Sequence, residues 1–290
     1  MQPSDADADH HGHALRDQAH HGSALRPRRA GRLRVGDHAL RRLVTIPISH
    51  YCEKARWALE RAGLTYHEER HVQGVHILAS KRAGGHGTTP VLVTEHGTFA
   101  GSEWIVRYAD LHLDPEDRLF TGDPEVEALS RRLDDGLGPD GRRLIYAHML
   151  PRPELMLAYN NQGVPPWEAK ALTGLYSLAH RWAARRLELK SLDDDRAKVL
   201  AEFDAIAALL ADGRPHLTGE RFTAADLTFA CLAAAVVVPP DYGVKLPQPE
   251  DLPEPVRGDI ERFRAHPAGV YALELFEKRR ANAFTQRPAS

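Results

Sequence analysis

The sequence predicts a small α/β domain followed by an all-helical one. Three observations carry this prediction. Strand-like and helix-like patterns alternate between about residues 41 and 113, in the order βαβ then ββα. A polar linker holding Pro115 and Gly122 follows at 114–123. Beyond it, residues 124–290 carry helical periodicity and no convincing strand.

Bulk composition narrows the function classes. A chain of 290 residues holds one large domain or two ordinary ones. Its formal net charge of -2 gives no electrostatic reason to expect nucleic acid or an anionic membrane as partner. Only Cys52 and Cys231 occur, far apart and without metal-ligand spacing, so neither a disulfide framework nor a metal centre is expected. A reducing, cytoplasmic setting is the natural expectation. Residues 1–40 mix Asp, Arg, Gly and His, lack an apolar signal-peptide core, and read as a disordered tail. The pairs His10-His11 and His20-His21 could hold a transition metal loosely, but such compositional signals are unspecific. The most apolar run, Ala224 to Val238, contains Asp226 and falls short of the roughly 20 residues a membrane span needs. It reads as a buried helix.

The first domain opens with an apolar run, Leu43 to Ile48, which stops at Ser49. Cys52, Ala55, Leu59 and Ala62 then recur at helical spacing until Gly63. Ser49 and Cys52 thus stand where a strand hands over to a helix. Unpaired N–H groups and the helix dipole there favour a thiolate or a carboxylate. Thr65 to Val72 reads as a second strand, and Gln73 to Gly87 as a polar connection with at most a short helix near Ile77-Leu78. Thr89 to Thr94 and Thr98 to Ala100 form a hairpin around His96-Gly97, and Ser102 can cap a helix through Trp104 to about Leu111. In the second domain, helices are expected at 124–133, 142–150, 166–189, 192–210, 224–238, 255–264 and 270–280.

Ser49-His-Tyr-Cys-Glu-Lys-Ala-Arg56, Thr89-Pro90-Val91 and Gly101-Ser102 stand in that order ahead of a helical domain. The combination resembles the cytosolic glutathione S-transferase superfamily, with a thioredoxin-like N-terminal domain and an all-helical C-terminal domain. The resemblance spans about Leu43 to Arg280. It implies glutathione as co-substrate, transfer to a small electrophile in the manner of detoxification enzymes, and a homodimer. Ser49 falls where the family contacts the glutathione sulfur, by a hydroxyl in serine-type members or a thiol in cysteine-type ones. Thr89 and Pro90 fall at the family's cis-proline, and Val91 where the cysteinyl backbone of glutathione is bound as an added strand. Ser102 falls where the γ-glutamyl end is held. The acidic partner expected before Ser102 is replaced by Gly101, with Glu103 as the available substitute.

Cys52 competes with Ser49 for the sulfur chemistry, because a helix N-terminus lowers a thiol pKa. Such a Cys52 would make the protein a thiol–disulfide oxidoreductase. Two features favour Ser49: Cys52 shares an apolar face with Ala55 and Leu59, and it matches the second position of a glutaredoxin-like Cys-x-x-Cys, where Ser49 fills the first. A third reading keeps the fold as a non-catalytic ligand-binding or scaffold protein. In the second domain, Thr223 and Asp226 form a capping-box pattern that resembles the family's. Tyr146, Met149, Trp167 and Tyr176 are candidates for an apolar electrophile pocket. The run Gly136-Leu-Gly-Pro-Asp-Gly141 is expected to break the long helix that would form its wall.

Overall fold

Strand β1 (Arg42–Thr45) is short because Pro47, lacking an N–H, cannot extend a ladder. Ser49 caps helix α1 (His50–Arg61), its hydroxyl oxygen accepting from the Cys52 N–H at 3.4 Å. Strand β2 (His67–Arg70) lies parallel to β1, an arrangement that requires a crossover such as α1. Helix α2 (Val75–Arg82) occupies the glycine-flanked connection and is longer than its polar sequence suggests. Strands β3 (Val91–Thr94) and β4 (Gly97–Ala100) form a hairpin, and β3 also pairs antiparallel with β1, giving the order β2-β1-β3-β4. Helix α3 (Ser102–Asp110) completes the expected βαβ-ββα series. This computed structural model describes residues 41–189 and 191–280, so the His-rich segment 1–40 lies outside the described residues.

The remainder is helical: α4 (Pro124–Asp135), α5 (Leu137–Met149), α6 (Pro153–Asn160), α7 (Pro166–Gly174), α8 (Tyr176–Arg186), α9 (Leu192–Leu210), α10 (Ala224–Val237), α11 (Val256–Ala265) and α12 (Pro267–Leu275). Two sequence expectations change here. The run at 166–189 is two helices, because the chain turns at Leu175 directly after Gly174. The glycine run at 136–141 does interrupt the helix, but only at Gly136, which separates α4 from α5; α5 then starts at Leu137, five residues earlier than expected. Pro139 is tolerated because it sits in the first turn, where an N–H has no intrahelical acceptor. Gly138 serves a contact. A Cβ there would stand 2.1 Å from the Tyr51 hydroxyl, so the missing side chain lets α5 close onto α1.

Helix α10 is the centre of the helical half. Of its 14 residues all but Ala235 are buried, as a helix without a polar face must be. The Thr223–Asp226 capping box forms, and the fully buried Asp226 also accepts from Leu217 N at 2.8 Å and the Tyr271 hydroxyl at 2.5 Å. One continuous core joins α1 and α3 to α10, with Trp57 stacked obliquely on Phe276 at 4.9 Å between ring centroids. Among the described residues no helix is long and apolar enough to cross a membrane.

A buried charge cluster fixes the turn between β1 and α1. Arg56, 1 % exposed, donates to Glu53 at 3.1 Å, to Glu68 at 2.8 Å and to the Pro47 carbonyl at 3.0 Å. Glu53 accepts from Gly243 N at 3.0 Å, and the Tyr242 hydroxyl donates to the Ile48 carbonyl at 3.3 Å. Buried charges persist when each is paired and its remaining valences are met. Here those pairings lock the loop carrying Ser49 to both the sheet and the segment after α10.

Candidate functional site

A cavity of about 370 Å³ opens where the sheet half meets the helices. One wall is Ser49, His50 and Tyr51 at the start of α1, with Thr88 and Thr89 just before β3. One face of α5, Arg142, Ile145, Tyr146 and Met149, forms a second part of the lining. Gln73, His76 and Ile77 complete the lining, together with Trp182, Arg186, Val238 and Leu246.

Ser49 is poised at this wall. Its oxygen accepts from Cys52 N at 3.4 Å, and the hydroxyl also reaches the Cys52 thiol side chain. Cys52 lies below it, wholly buried and absent from the lining. Burial pushes the Cys52 thiol up, more than the Arg56 charge and the Ser49 and Thr89 hydroxyls pull it down. The thiol is therefore neutral and sequestered. The Thr89–Pro90 peptide is cis.

Several expected site residues sit elsewhere. Val91 is registered with Val44 on β1 and Ala100 on β4, so neighbours flank it on both sides. Pairing with a peptide as an added strand needs an edge, and Val91 lies in an interior strand; the residues of this segment that line the cavity are Thr88 and Thr89. Ser102 is the first residue of α3 and Gly101, at φ 97°, is the cap position, contrary to the expected Ser102 cap. Neither Ser102 nor Glu103 lines the cavity, and the Glu103 carboxylate is held by Arg107 at 2.9 Å.

The electrophile-pocket candidates divide evenly. Tyr146 and Met149 line the cavity; Trp167 and Tyr176 do not. Trp167 is 62 % exposed because its neighbour Glu168 takes the inward position, accepting from Val72 N at 3.0 Å and contacting His71 at 2.8 Å. Tyr176 turns its hydroxyl to the Leu150 carbonyl at 2.9 Å, closing the α5–α6 corner instead.

Polar groups that the sequence did not single out complete the cavity. Gln73 donates through Nε2 to the Tyr146 hydroxyl at 3.0 Å and to Asn160 Oδ1 at 2.6 Å, while its Oε1 is buried without a partner. Arg142 Nε and His50 Nε2 are likewise buried and unpartnered. His50 is pushed down to about 3 by burial, with the Arg142 charge adding to the effect, so it is neutral at ordinary pH. No local motif marks Gln73 or Arg142; their unmet hydrogen-bonding capacity is a property of tertiary packing. Among the described residues no group of three or more His, Cys, Asp or Glu side chains is placed to hold a metal.

Comparison with known proteins agrees with this architecture. The family model for the glutathione S-transferase N-terminal domain matches residues 43–116, and that for the glutathione S-transferase C-terminal domain matches 176–266. The chain belongs to the glutathione S-transferase superfamily. Solved structures share the fold at low identity. A glutathione S-transferase from Methylobacillus flagellatus, with glutathione bound, superposes with a TM-score of 0.52 at 16% identity, covering 84% of this chain and 98% of its own. Glutathione S-transferase I from maize, in complex with an atrazine glutathione conjugate, gives 0.54 at 16% identity over 87% of this chain and 100% of its own. An enzyme from Ceriporiopsis subvermispora in complex with glutathione gives 0.51 at 20% identity over 83% and 97%. No curated protein sequence matches the chain.

Proposed function

We propose that this protein is a glutathione transferase of the serine type. Ser49 donates a hydrogen bond to the glutathione sulfur, and the thiolate so stabilised attacks a small electrophile held against α5. The observation that carries the reading is the Ser49 hydroxyl at the cavity lining, at the start of α1, with Cys52 wholly buried and off that lining. One hydrogen bond to a charged acceptor contributes about 1.5–3 kcal/mol, which lowers the thiol pKa by roughly one to two units. The pocket supplies positioning as well, and solvent takes the proton. Thr88 and Thr89 are the candidates for holding the glutathione backbone. Burial of Cys52 weighs against thiol–disulfide exchange, which requires an accessible thiolate.

The test is a conjugation assay and a disulfide-reductase assay on wild type, Ser49→Ala and Cys52→Ser. Ser49→Ala should lower conjugation at least about tenfold and raise the pKa of bound glutathione, while Cys52→Ser keeps most of the activity. The reverse pattern assigns the chemistry to Cys52. Absence of glutathione binding by calorimetry rules out catalysis by this route and favours the non-catalytic ligand-binding reading. A cytoplasmic homodimer belongs to the same reading, supported by Trp104 and Leu111, 59 % and 69 % exposed on and just after α3. Light scattering that returns a monomer at working concentration removes the dimer.

A further inference from the structure

Arg142 is not used by the sulfur chemistry. It leaves α5 beside Arg143, but the two side chains have opposite fates. Arg143 is committed to Asp140 and, at 2.8 Å, to Asp195. Arg142 lines the cavity instead, and among the described residues no carboxylate pairs with it. Its Nε is buried and unpartnered. The groups that feel its charge, His50, Tyr51 and Tyr146, are all uncharged at neutral pH. Among the described residues no Asp or Glu lines the cavity, whereas Arg186 adds a second guanidinium to its lining. Around these cations stand Ile48, Ile145, Met149 and Met156.

A guanidinium facing an apolar cavity without a counter-charge is costly unless a bound anion supplies one. We propose that Arg142 is the specificity residue for a negatively charged group, a carboxylate or comparable oxyanion, on the electrophile. The favoured second substrate is therefore an amphipathic acid: its apolar body lies against Ile145 and Met149, and its anionic end meets Arg142. This assignment rests on the transferase reading above. Glutathione is itself anionic, so its own carboxylates are the other source of the same chemistry. Arg142 shares the α5 face with Ile145 and Met149, outside the stretch matched by the N-terminal family model, and this favours the electrophile.

A matched pair of aryl chlorides separates the sources: a chloronitrobenzoate and its methyl ester. In both, the glutathione sulfur bonds to the chlorine-bearing carbon, and chloride leaves with the electron pair of the broken C–Cl bond. The two differ in the carboxylate charge. Wild type should prefer the acid over the ester in kcat/KM by about 10- to 100-fold, beyond any difference in their uncatalysed rates with glutathione, as a charge-assisted hydrogen bond provides. Arg142→Gln should abolish that preference, lowering acid turnover about 10- to 100-fold more than ester turnover, and Arg142→Lys should restore part of it. An unaltered preference in Arg142→Gln, or a glutathione KM that rises equally with both electrophiles, overturns the assignment. Should Arg142→Gln fold poorly, absence of any acid preference in the wild type overturns it alone. Calorimetric titration with nitrobenzoate, which lacks the reactive chlorine, stands apart from the transferase reading. Binding to wild type that weakens at least about tenfold in Arg142→Gln or Arg142→Lys supports the anion site even if no conjugation occurs; no binding to wild type overturns it.

Discussion

The two walls of the cavity are built by different means. The sheet-side wall is made at chain junctions: Ser49 ends the turn after β1, and Thr88-Thr89 precede β3. The helical wall is made of side chains along a single helix face, Arg142, Ile145, Tyr146 and Met149 of α5. The first lies within the stretch matched by the N-terminal family model, residues 43–116. The second falls between the two matched stretches, after residue 116 and before 176. A wall shaped by backbone turns is tied to the fold, whereas a wall of side chains can be rewritten without altering it. On the proposed reading, the shared wall serves glutathione and the individual wall chooses its partner.

The sharpest challenge to this contrast is to remove what fixes the sheet-side wall. Arg56→Met leaves Glu53 and Glu68 without their central cation, and loss of one partner of a buried ion pair costs about 3–5 kcal/mol. Urea denaturation should show that loss, and a change below about 1 kcal/mol would mean the cluster does not hold the loop. Gly138→Ala tests where the walls touch. The new methyl meets the Tyr51 hydroxyl and ring, so destabilisation of about 1–3 kcal/mol is expected, with partial relief when Tyr51→Phe is added. An additive double mutant in thermal melts would refute direct contact.

Acid exposes the same junction more gently. An unfolded chain protonates His50 from about pH 6.5 downward, whereas the folded chain resists until about 3. Stability attributable to this site therefore falls as pH drops through that window, by at most about 1.4 kcal/mol per pH unit. A His50→Asn variant should have a shallower decline between those limits in denaturation series; an identical slope would place the acid sensitivity elsewhere. Trp167→Ala is the smallest expected effect. Its side chain is exposed and off the cavity, so stability should change by less than about 0.5 kcal/mol and the electrophile KM should not move. Met149→Ala, on the wall itself, should raise that KM, and equal effects of the two would dissolve the distinction between them.

The sequence was informative where structure is local. The Ser49 cap, the Thr223–Asp226 box and the buried α10 are written in consecutive residues, and each is present in the structure. Val91 departs from its sequence expectation because no strand announces whether it will lie inside a sheet or at its edge. Trp167 and Tyr146 carry similar aromatic signals, yet one faces solvent and the other the cavity; Glu168 decides the first by holding the loop after β2. Gly138 reads as a helix breaker in isolation, and only Tyr51, from the other half of the chain, reveals it as a point of close approach. Arg142 is one arginine of an adjacent pair, and its unpaired state emerges from packing alone.

The contacts from Tyr242 and Gly243 to Ile48 and Glu53 set an order of events during synthesis. They join residues 194 and 190 apart in sequence, between the segment after α10 and the loop that carries Ser49. The sheet half leaves the ribosome early, but that loop lacks two of its anchors until residue 243 has emerged. At about 5–20 residues per second, the delay is roughly 10–40 s. Throughout that interval Glu53 waits for the Gly243 N–H, and the Ser49 junction becomes a finished site only when the later half of the chain closes over it.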